Sequence, residues 1–219
     1  MVTGAAGQLG TDLVRHATDV GDDVVVADRP RLDITDAAAV RSFVESHCPD
    51  AIINAAAYTA VDACESNHAL ARAVNAEAVG ALRDAADAVD AHLVHVSTDY
   101  VFDGTLDRPY AEDDAPNPQS VYGITKLAGE VLAGNGASVA RTSWVCGEHG
   151  NNMVKLILRL AEGDAPLAFV DDQRGCPTFT GDLAPALHRL ASDRHTGTFH
   201  LTNAGAVSWY EFVGDILEA

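Results

Sequence analysis

Apolar residues fall into two kinds of segment that alternate along the whole chain. One kind is a short, almost continuously apolar run, typical of strands buried on both faces of a parallel sheet. These predicted strands cover residues 1–3, 23–27, 51–54, 92–96, 138–142, 167–171 and 198–201. The other kind repeats apolar residues at helical spacing, over residues 8–17, 36–47, 67–89, 153–160, 182–191 and 208–218. Strands alternating with helices in this way predict an α/β protein with a doubly wound parallel sheet.

Three glycines follow the first predicted strand with the spacing Gly-x-x-Gly-x-x-Gly: Gly4, Gly7 and Gly10. Glycine permits a tight turn and lets phosphates approach the backbone at the start of a helix. The second predicted strand ends in Asp28, eighteen residues beyond Gly10, where a carboxylate can bond the ribose of adenosine. Strand, glycine turn, helix and acid together predict a dinucleotide-binding fold of the Rossmann type.

Arg29 beside Asp28 leaves the identity of the dinucleotide open. Asp28 favours NADH because its carboxylate bonds the 2′-hydroxyl and repels a 2′-phosphate. Arg29 could accept that phosphate and so favour NADPH. The sequence predicts one of these two cofactors without choosing between them.

A Tyr and a Lys four residues apart, Tyr122 and Lys126, lie in a further segment with helical periodicity and so share one helix face. Lys126 is then placed to stabilise a phenolate at Tyr122 and to lower its pKa. Ser97 or Thr98, at the end of the preceding strand, could add a hydroxyl to a proton-donating cluster around a carbonyl oxygen. Tyr-x-x-x-Lys is common by chance, usually as a solvated Lys beside a half-buried Tyr. The chain has only two lysines, Lys126 and Lys155, which makes a chance placement less expected.

Composition narrows the classes of function. The net charge is −18, whereas a nucleic-acid-binding face is basic, so nucleic acid is not an expected partner. No apolar run is long enough to span a bilayer, and no charged-then-apolar leader is present, so we expect a cytoplasmic protein without a membrane partner. The four cysteines and nine histidines are scattered without ligand spacing, so no metal site is predicted.

Acidic residues also recur in short groups along this chain, such as Asp22-Asp23 and Asp171-Asp172. A surface of this kind stays soluble where salt screens its self-repulsion. We therefore hypothesise a halophilic protein, adapted to high salt. A melting temperature indifferent to KCl would contradict this hypothesis.

Six segments of the chain resemble, in order, the motifs of one known family. They are TGAAGQLG at 3–10, NAAAYTAVD at 54–62, STDYVFDG at 97–104, YGITKLAGE at 122–130, RTSW at 141–144 and DQRGCPT at 172–178. The segments span nearly the whole chain, and the motifs at 54–62 and 97–104 are the specific ones. On these residues the chain resembles an extended short-chain dehydrogenase/reductase of the dTDP-4-dehydrorhamnose reductase type.

The resemblance implies NAD(P)H-dependent reduction of the 4-keto group of dTDP-4-dehydrorhamnose to dTDP-L-rhamnose, a step of nucleotide-sugar biosynthesis. On that basis Tyr122 is the general acid, and Lys126 lowers its pKa while bonding the nicotinamide ribose. Thr98 hydrogen-bonds the substrate carbonyl. Hydride and proton donors held at one carbonyl supply proximity as well as acid catalysis.

The resemblance also implies two groups of binding residues. The expected cofactor residues are Gly4, Gly7, Gln8, Leu9, Gly10, Asp28, Arg29, Asp33, Ile34, Ala57, Tyr58, Thr59, Tyr122 and Lys126. The expected substrate residues, which would contact a sugar nucleotide, are Thr98, Asp99 and Trp144. Gly7, Gln8 and Leu9 would present backbone to the pyrophosphate. Asp33 would either reach the adenine or merely cap a turn.

The chain departs from the family's pattern in three places. Its first strand is shorter than usual, Cys146 stands where an aromatic residue is usual, and family members continue well beyond Ala219. Some members hold a magnesium ion between subunits, whose ligands the sequence does not identify here. A homodimer through exposed helices that flank the sheet is an expectation of the same kind.

The predicted domain organisation follows from the order of the segments. We expect residues 1–149, joined by 181–203, to form the dinucleotide-binding domain. Residues 150–180 and 204–219 are expected to form parts of a substrate-binding lobe, which the short carboxyl end would leave incomplete.

Two other functions compete with the reductase. Sugar-nucleotide dehydratases typically carry Asp-Glu after the Thr, whereas Tyr100 follows Asp99 here, and epimerases lack the motif around Thr98. A non-catalytic subunit is the alternative from another class, since relatives of the family regulate methionine adenosyltransferase. The presence of Thr98, Tyr122 and Lys126 argues against that alternative.

Overall fold

The computed structural model describes residues 1–163 and 165–219. Its strands are β1 (Val2–Thr3), β2 (Val26–Ala27), β3 (Ala51–Asn54), β4 (His92–Thr98), β5 (Ser138–Thr142), β6 (Val145–Cys146), β7 (Arg174–Gly175), β8 (Thr178–Phe179), β9 (Gly197–His200) and β10 (Val207–Ser208). Its helices are α1 (Gln8–Asp19), α2 (Ala37–His47), α3 (Val61–Cys64), α4 (His68–Arg72), α5 (Ala78–Ala88), α6 (Val121–Ala133), α7 (Met153–Ala161), α8 (Thr180–Ser192) and α9 (Trp209–Glu218).

Six parallel strands form the central sheet, in the order β2–β1–β3–β4–β5–β9. The strand order reverses at β1, because β2 lies on one side of it and the later strands on the other. Ligands of open α/β sheets bind outside the carboxyl ends of the strands at such a switch point. The predicted doubly wound parallel fold is confirmed, and it brings the loops after β1 and β3 together.

Helices cover both faces of the sheet. Helices α1 and α8 pack on one face, and α2 and α5 on the other. Neighbouring strand residues point to opposite faces, so Ile52 joins the core under α2 and α5 while Ile53 joins the core under α1 and α8. Full burial of one such side chain stabilises the fold by roughly 1.5–3 kcal/mol, which is why these strands read as continuous apolar runs.

A smaller region lies beyond the sheet. It contains the antiparallel pair β7–β10, the parallel pair β6–β8, and helices α7 and α9, which pack against each other. Between its parts the chain returns to the central sheet through α8 and β9. Helix α9 begins at a capping box: Ser208 accepts from the backbone of Glu211, and Glu211 accepts from the backbone of Ser208.

One predicted strand is wrong, and one predicted helix contains a π-helical turn. The strand expected at 167–171 is wrong, because this backbone bonds the start of α9 instead: Val170 accepts from the N–H of Tyr210 at 3.0 Å. The last of the six motifs, at 172–178, contains the short strand β7 and the start of β8. The helix predicted at 67–89 is confirmed, with a π-helical turn at Ala73–Glu77.

Within the described part of the chain, none of the helices combines the length and the apolar character that crossing a membrane requires.

Candidate active site

The glycine turn packs directly on the loop after β3. Gly4 has φ +62°, and a Cβ there would lie 2.8 Å from the backbone of Ala56. A Cβ at Gly10 would collide with the carbonyl oxygen of Gly4. Gly7 caps α1 without a side-chain hydrogen bond, so amide groups of the first helical turn are free to face an anion.

A cleft of about 350 Å³ opens at this turn, at the switch point of the sheet. Of the expected cofactor residues, it is lined by Gly4, Gly7, Asp28, Arg29, Asp33, Ile34, Ala57 and Tyr58. The expected residues outside its lining are Gln8, Leu9, Gly10, Thr59, Tyr122 and Lys126. Leu9 lies in the core under α1 and α8, and Gly10 packs on Gly4, so their side-chain positions serve packing.

Asp28 and Arg29, whose opposite charges favour different dinucleotides, both line the cleft. Asp28 accepts from the backbone N–H of Arg31 at 3.3 Å, and Arg29 is exposed beside it. Asp33 accepts from the hydroxyl and the N–H of Thr35 at 2.7 and 3.0 Å, and these bonds lower its pKa. Asp33 therefore caps a turn, one of its two expected roles, while it also lines the cleft.

Asn75 holds the far wall of the cleft, a role that we did not predict from the sequence. Its Oδ1 accepts from the N–H of Tyr58 at 2.8 Å, and its Nδ2 donates to the carbonyl of Tyr58 at 3.1 Å. The same Nδ2 lies 3.2 Å from the Thr125 hydroxyl on α6. Asn75 sits in the π-helical turn, a feature that often marks functional sites.

Tyr122 lies at the start of α6, directly behind the turn that follows β4. Gly123 has no room for a side chain, because a Cβ there would collide with the carbonyl oxygen of Tyr100. This close approach places the Tyr100 ring edge-on to Tyr122, with ring centroids 5.5 Å apart. Tyr122 is buried in consequence.

The pKa of Tyr122 is raised, in the direction opposite to the one we expected from Lys126. Burial is the largest cause, and the neighbouring Thr98 side chain acts in the opposite direction. Asp99 raises the pKa further, and Lys126 is not among the groups that shift it. Tyr122 therefore keeps its proton at neutral pH.

Ser97 and Thr98 were alternatives, and they face different partners. Thr98 Oγ1 accepts from the N–H of Tyr100 at 3.2 Å and lies within reach of Tyr122. Ser97 Oγ instead donates to Glu130 Oε1 at 2.6 Å. Glu130 also forms a two-pronged ion pair with Arg141, at 3.0 and 2.8 Å. Ser97 thus belongs to a structural clamp between the sheet and α6.

Lys126 is 1% exposed, and its Nζ donates to the carbonyl of Val96 at 2.6 Å. The same nitrogen lies 3.4 Å from Nε2 of His95. Burial lowers the pKa of Lys126 to about 8, although the charge of Glu130 acts to raise it. The sequence identified Lys126 but gave no sign of His95, whose place in an apolar strand resembled an ordinary core position.

Asp99 and Trp144 are the two remaining residues that we expect to contact a sugar nucleotide. Burial raises the pKa of Asp99 to about 6, against a hydrogen bond from Thr98 at 3.1 Å. Trp144 has φ +46° and stacks on Trp209 at 3.7 Å, with 11° between the rings. A Cβ at Gly175 would come within 2.5 Å of the Trp144 indole, so this position requires glycine.

Similarity to a known protein family extends over the whole chain. The model of the RmlD substrate binding domain family matches residues 1–219. The chain belongs to this family.

Two curated relatives of the RmlD-family chain differ in the sugar that they are named for. The dTDP-4-dehydrorhamnose reductase of Streptomyces griseus is 45% identical over 95% of this chain and 72% of its own length. The probable dTDP-4,6-dihydroxy-2-methyloxan-3-one 4-ketoreductase of Streptomyces antibioticus is 43% identical over 99% of this chain and 75% of its own.

The solved structure of dTDP-4-dehydrorhamnose reductase from Bacillus anthracis str. Ames, in complex with NADP, has the same fold as the RmlD-family chain. Its TM-score is 0.96 at 38% identity, covering 99% of this chain and 78% of that one.

Gln8 links the glycine turn of the RmlD-family chain to the smaller region through its side chain. Nε2 of Gln8 donates to the carbonyl of Val145 at 2.9 Å, and Oε1 accepts from Asn152 Nδ2 at 2.7 Å. Asn152 also caps α7, since its Oδ1 accepts from the N–H of Lys155 at 3.0 Å. The sequence suggested only a backbone role for Gln8 and gave no signal for Asn152.

Among the described residues of the RmlD-family chain, no group of three His, Cys, Asp or Glu side chains could hold a metal ion. Cys146, which departs from the family's pattern, is buried, and burial raises the pKa of its thiol.

Proposed function

We propose that this chain is an NAD(P)H-dependent reductase of a 4-keto sugar nucleotide, with dTDP-4-dehydrorhamnose as the substrate that its relatives' names favour. One observation carries the proposal. A buried, protonated Tyr122 lies beside the Thr98 hydroxyl at the carboxyl end of β4, and the dinucleotide cleft opens at the same edge of the sheet.

The cleft fits a dinucleotide in its shape and chemistry. The uncapped amides at the start of α1 suit a pyrophosphate. The small side chains of Ala55, Ala56 and Ala57 allow close approach, and Asp28 and Arg29 lie where the adenosine ribose would bind. Both NADH and NADPH remain candidates. The Bacillus anthracis relative is in complex with NADP, which favours NADPH.

A bound nicotinamide dinucleotide supplies the hydride, and Tyr122 donates the proton. Reduction of a ketone places negative charge on the carbonyl oxygen, so the acid must be protonated when hydride arrives. The raised pKa of Tyr122 keeps the phenol in that form. Thr98 would donate a second hydrogen bond to the same oxygen, and Lys126 would bond the nicotinamide ribose while holding the Tyr122 face of α6 in place.

The sugar nucleotide would bind at Asp99 and Trp144. The stacked pair of Trp144 and Trp209 would offer flat aromatic surface to the sugar nucleotide. Trp209 belongs to residues 150–180 and 204–219, which we propose as the substrate-binding lobe, and Trp144 stacks on it from the other domain. Residues 1–149 and 181–203 would form the dinucleotide-binding domain. The curated relatives act on different 4-keto sugars by name, so the exact sugar is the least constrained part of the proposal.

The test is oxidation of NADPH and of NADH by dTDP-4-dehydrorhamnose in concentrated KCl, for the unmodified chain and for Tyr122→Phe. We expect turnover by the unmodified chain and a loss of kcat of about 10²–10⁴-fold in the variant, which lacks the acid. Tyr210→Phe is the matched control, because Tyr210 is 64% exposed on α9. Undiminished turnover in Tyr122→Phe would contradict the assignment of the acid. Dinucleotide binding without turnover by the unmodified chain would favour a regulatory subunit.

A further inference from the structure

Four polar side chains form a continuous chain through the core, from β1 across β3 and β4 to α6. Thr3 Oγ1 lies 2.6 Å from Asn54 Oδ1, and Asn54 Nδ2 lies 3.1 Å from His95 Nδ1. His95 Nε2 lies 3.4 Å from Lys126 Nζ. All four residues are at most 1% exposed. The proposed reaction gives a role to Lys126 alone. Burial of the other three polar groups costs desolvation free energy that apolar side chains would not.

The hydrogen bonds of Asn54 determine the tautomer of His95. The backbone N–H of Ala56 can only donate, and it lies 3.3 Å from Asn54 Oδ1, so that atom is the amide oxygen. The amide nitrogen of Asn54 therefore faces His95 and donates to Nδ1. Since Nδ1 accepts, it carries no proton, and a neutral imidazole must carry its proton on Nε2.

Burial keeps this imidazole neutral. The pKa of His95 lies well below its ordinary value because burial disfavours the charged ring, and the neighbouring Lys126 lowers it further. The neutral ring then points its Nε2–H at Nζ of Lys126. A neutral amine can accept that hydrogen through its lone pair, whereas an ammonium group has no lone pair and presents a second donor.

Two other groups around Lys126, Glu130 and the carbonyl of Val96, favour the ammonium form, whereas His95 opposes it. Glu130, one turn further along α6, raises the pKa of Lys126, but its carboxylate is already engaged by Arg141 and Ser97. The π-helical turn that packs on α6 presents Asn75, which is uncharged. From β4, the carbonyl of Val96 accepts from Nζ, and this backbone bond is available whichever side chain stands at position 95.

We propose that His95 is a positioning residue for Lys126: Asn54 holds it in the Nε2-protonated tautomer, and in that form it favours the neutral amine while the Val96 carbonyl keeps Nζ in place. Lys126 then loses and regains its proton close to neutral pH. This inference rests on the proposed function only for its kinetic consequence, which is the position of the alkaline limb of kcat.

The composition of the chain allows a direct test. Lys126 and Lys155 are the only lysines, so protein labelled with ¹³C-lysine gives two side-chain signals, one of which reports on Lys126. In His95→Gln the amide oxygen can turn towards Nζ and accept from the ammonium. We expect the pKa of Lys126 to rise in this variant by about one unit, because a hydrogen bond to the charged form favours it.

His92→Gln is the matched control. His92 is a second buried histidine on β4, and its Nε2 bonds the hydroxyl of Ser138 at 2.8 Å instead of approaching Lys126. We expect this variant to leave the Lys126 titration unchanged. An unchanged titration in His95→Gln, or an equal shift in both variants, would overturn the proposal.

A second measurement needs no substitution. In ¹⁵N-histidine-labelled protein, the ring nitrogens of His95 distinguish the tautomers, and we expect an unprotonated Nδ1 and a protonated Nε2. The opposite tautomer would overturn the proposal even if His95→Gln failed to fold. Neither measurement requires turnover, so a failure of the reductase assignment would leave both readable. Where turnover is present, the alkaline limb of kcat should move with the Lys126 signal in His95→Gln.

Discussion

Two buried, positively charged side chains, Arg141 and Lys126, lie at helix α6 and have different hydrogen-bond partners. Arg141 on β5 forms a two-pronged pair with Glu130, and its guanidinium also lies 5.0 Å from the centre of the Phe102 ring. Both members of the pair are 7% exposed. Lys126 lies one turn before Glu130 on α6. Its near partners are a carbonyl and a neutral imidazole, and burial lowers its pKa to about 8.

The presence or absence of a carboxylate partner distinguishes a cation that stabilises the fold from one that can exchange a proton. A buried charge with a hydrogen-bonded counter-charge keeps its protonation state, and removing either partner leaves the other uncompensated. A buried charge without such a partner shifts its pKa towards neutrality, which is the behaviour of groups that exchange protons. In this chain the first arrangement locks α6 to the sheet, and the second lies at the proposed catalytic site.

Replacing Lys126 should show the largest contrast between function and stability. In Lys126→Met a flexible apolar chain fills the site, so we expect kcat to fall about 10²–10⁴-fold, as for loss of a group that supports proton transfer. The free energy of unfolding should stay equal or rise, because no buried amine remains to be desolvated. Steady-state kinetics and urea denaturation check both parts. Lys155→Met is the control, and a marked loss of stability in Lys126→Met would show that the amine is structural.

The opposite result is expected at the ion pair. Glu130→Gln removes the carboxylate and leaves the guanidinium of Arg141 buried without a counter-charge. We expect the free energy of unfolding to fall by about 3–5 kcal/mol. The variant that removes both charges, Glu130→Gln with Arg141→Met, should recover part of this loss. Urea denaturation of the three variants measures the coupling, and a fall below about 1 kcal/mol in Glu130→Gln would place this pair among ordinary surface pairs.

Asp99 is the anionic counterpart of Lys126, and its effect depends on pH. Burial raises its pKa from 3.8 to about 6, so the folded state binds the proton more tightly than the unfolded chain does. Stability is therefore lost as pH rises from about 4 to 6, and Asp99→Asn should remove that loss. The side chain is half-buried, so we expect the variant to gain about 1–2 kcal/mol at pH 7 and nothing below pH 4. Denaturation at both pH values tests this, and an equal gain in stability below pH 4 would contradict the assigned titration of Asp99.

The sequence predicted the sheet and the glycine turn because both depend on local patterns. Continuous apolar runs specify strands buried on both faces, and Gly4 is required by a positive φ and a close backbone contact. The strand predicted at 167–171 is wrong because the carbonyl of Val170 accepts from the N–H of Tyr210 at the start of α9, and periodicity does not reveal the partner of a segment.

The supporting side chains of the candidate site could not be predicted for the same reason. Asn54, Asn75 and His95 act through partners that are 41, 17 and 31 residues distant along the chain. Tyr122 and Lys126 were visible because four residues on a helix bring two side chains to one face. The pKa of Tyr122 shows the limit of that argument: the pair was found from spacing, but burial, which spacing does not report, sets the direction of the shift.

Asn152 extends the comparison to an uncharged contact, where the expected effect is smallest. Asn152→Asp keeps an oxygen to cap α7 but loses the N–H groups that bond Gln8 and Gly147. Asn152→Ala loses the cap as well, which costs about 1 kcal/mol. We expect Asn152→Asp to keep most of the stability while weakening dinucleotide binding a few-fold, because Gln8 begins α1 at the proposed pyrophosphate site and a carboxylate would now lie near it. Fluorescence titration with NADPH and thermal unfolding separate the two effects. Equal NADPH affinity in both variants and the unmodified chain would restrict Asn152 to capping α7. The contact between Asn152 and Gln8 would then have no effect on dinucleotide binding.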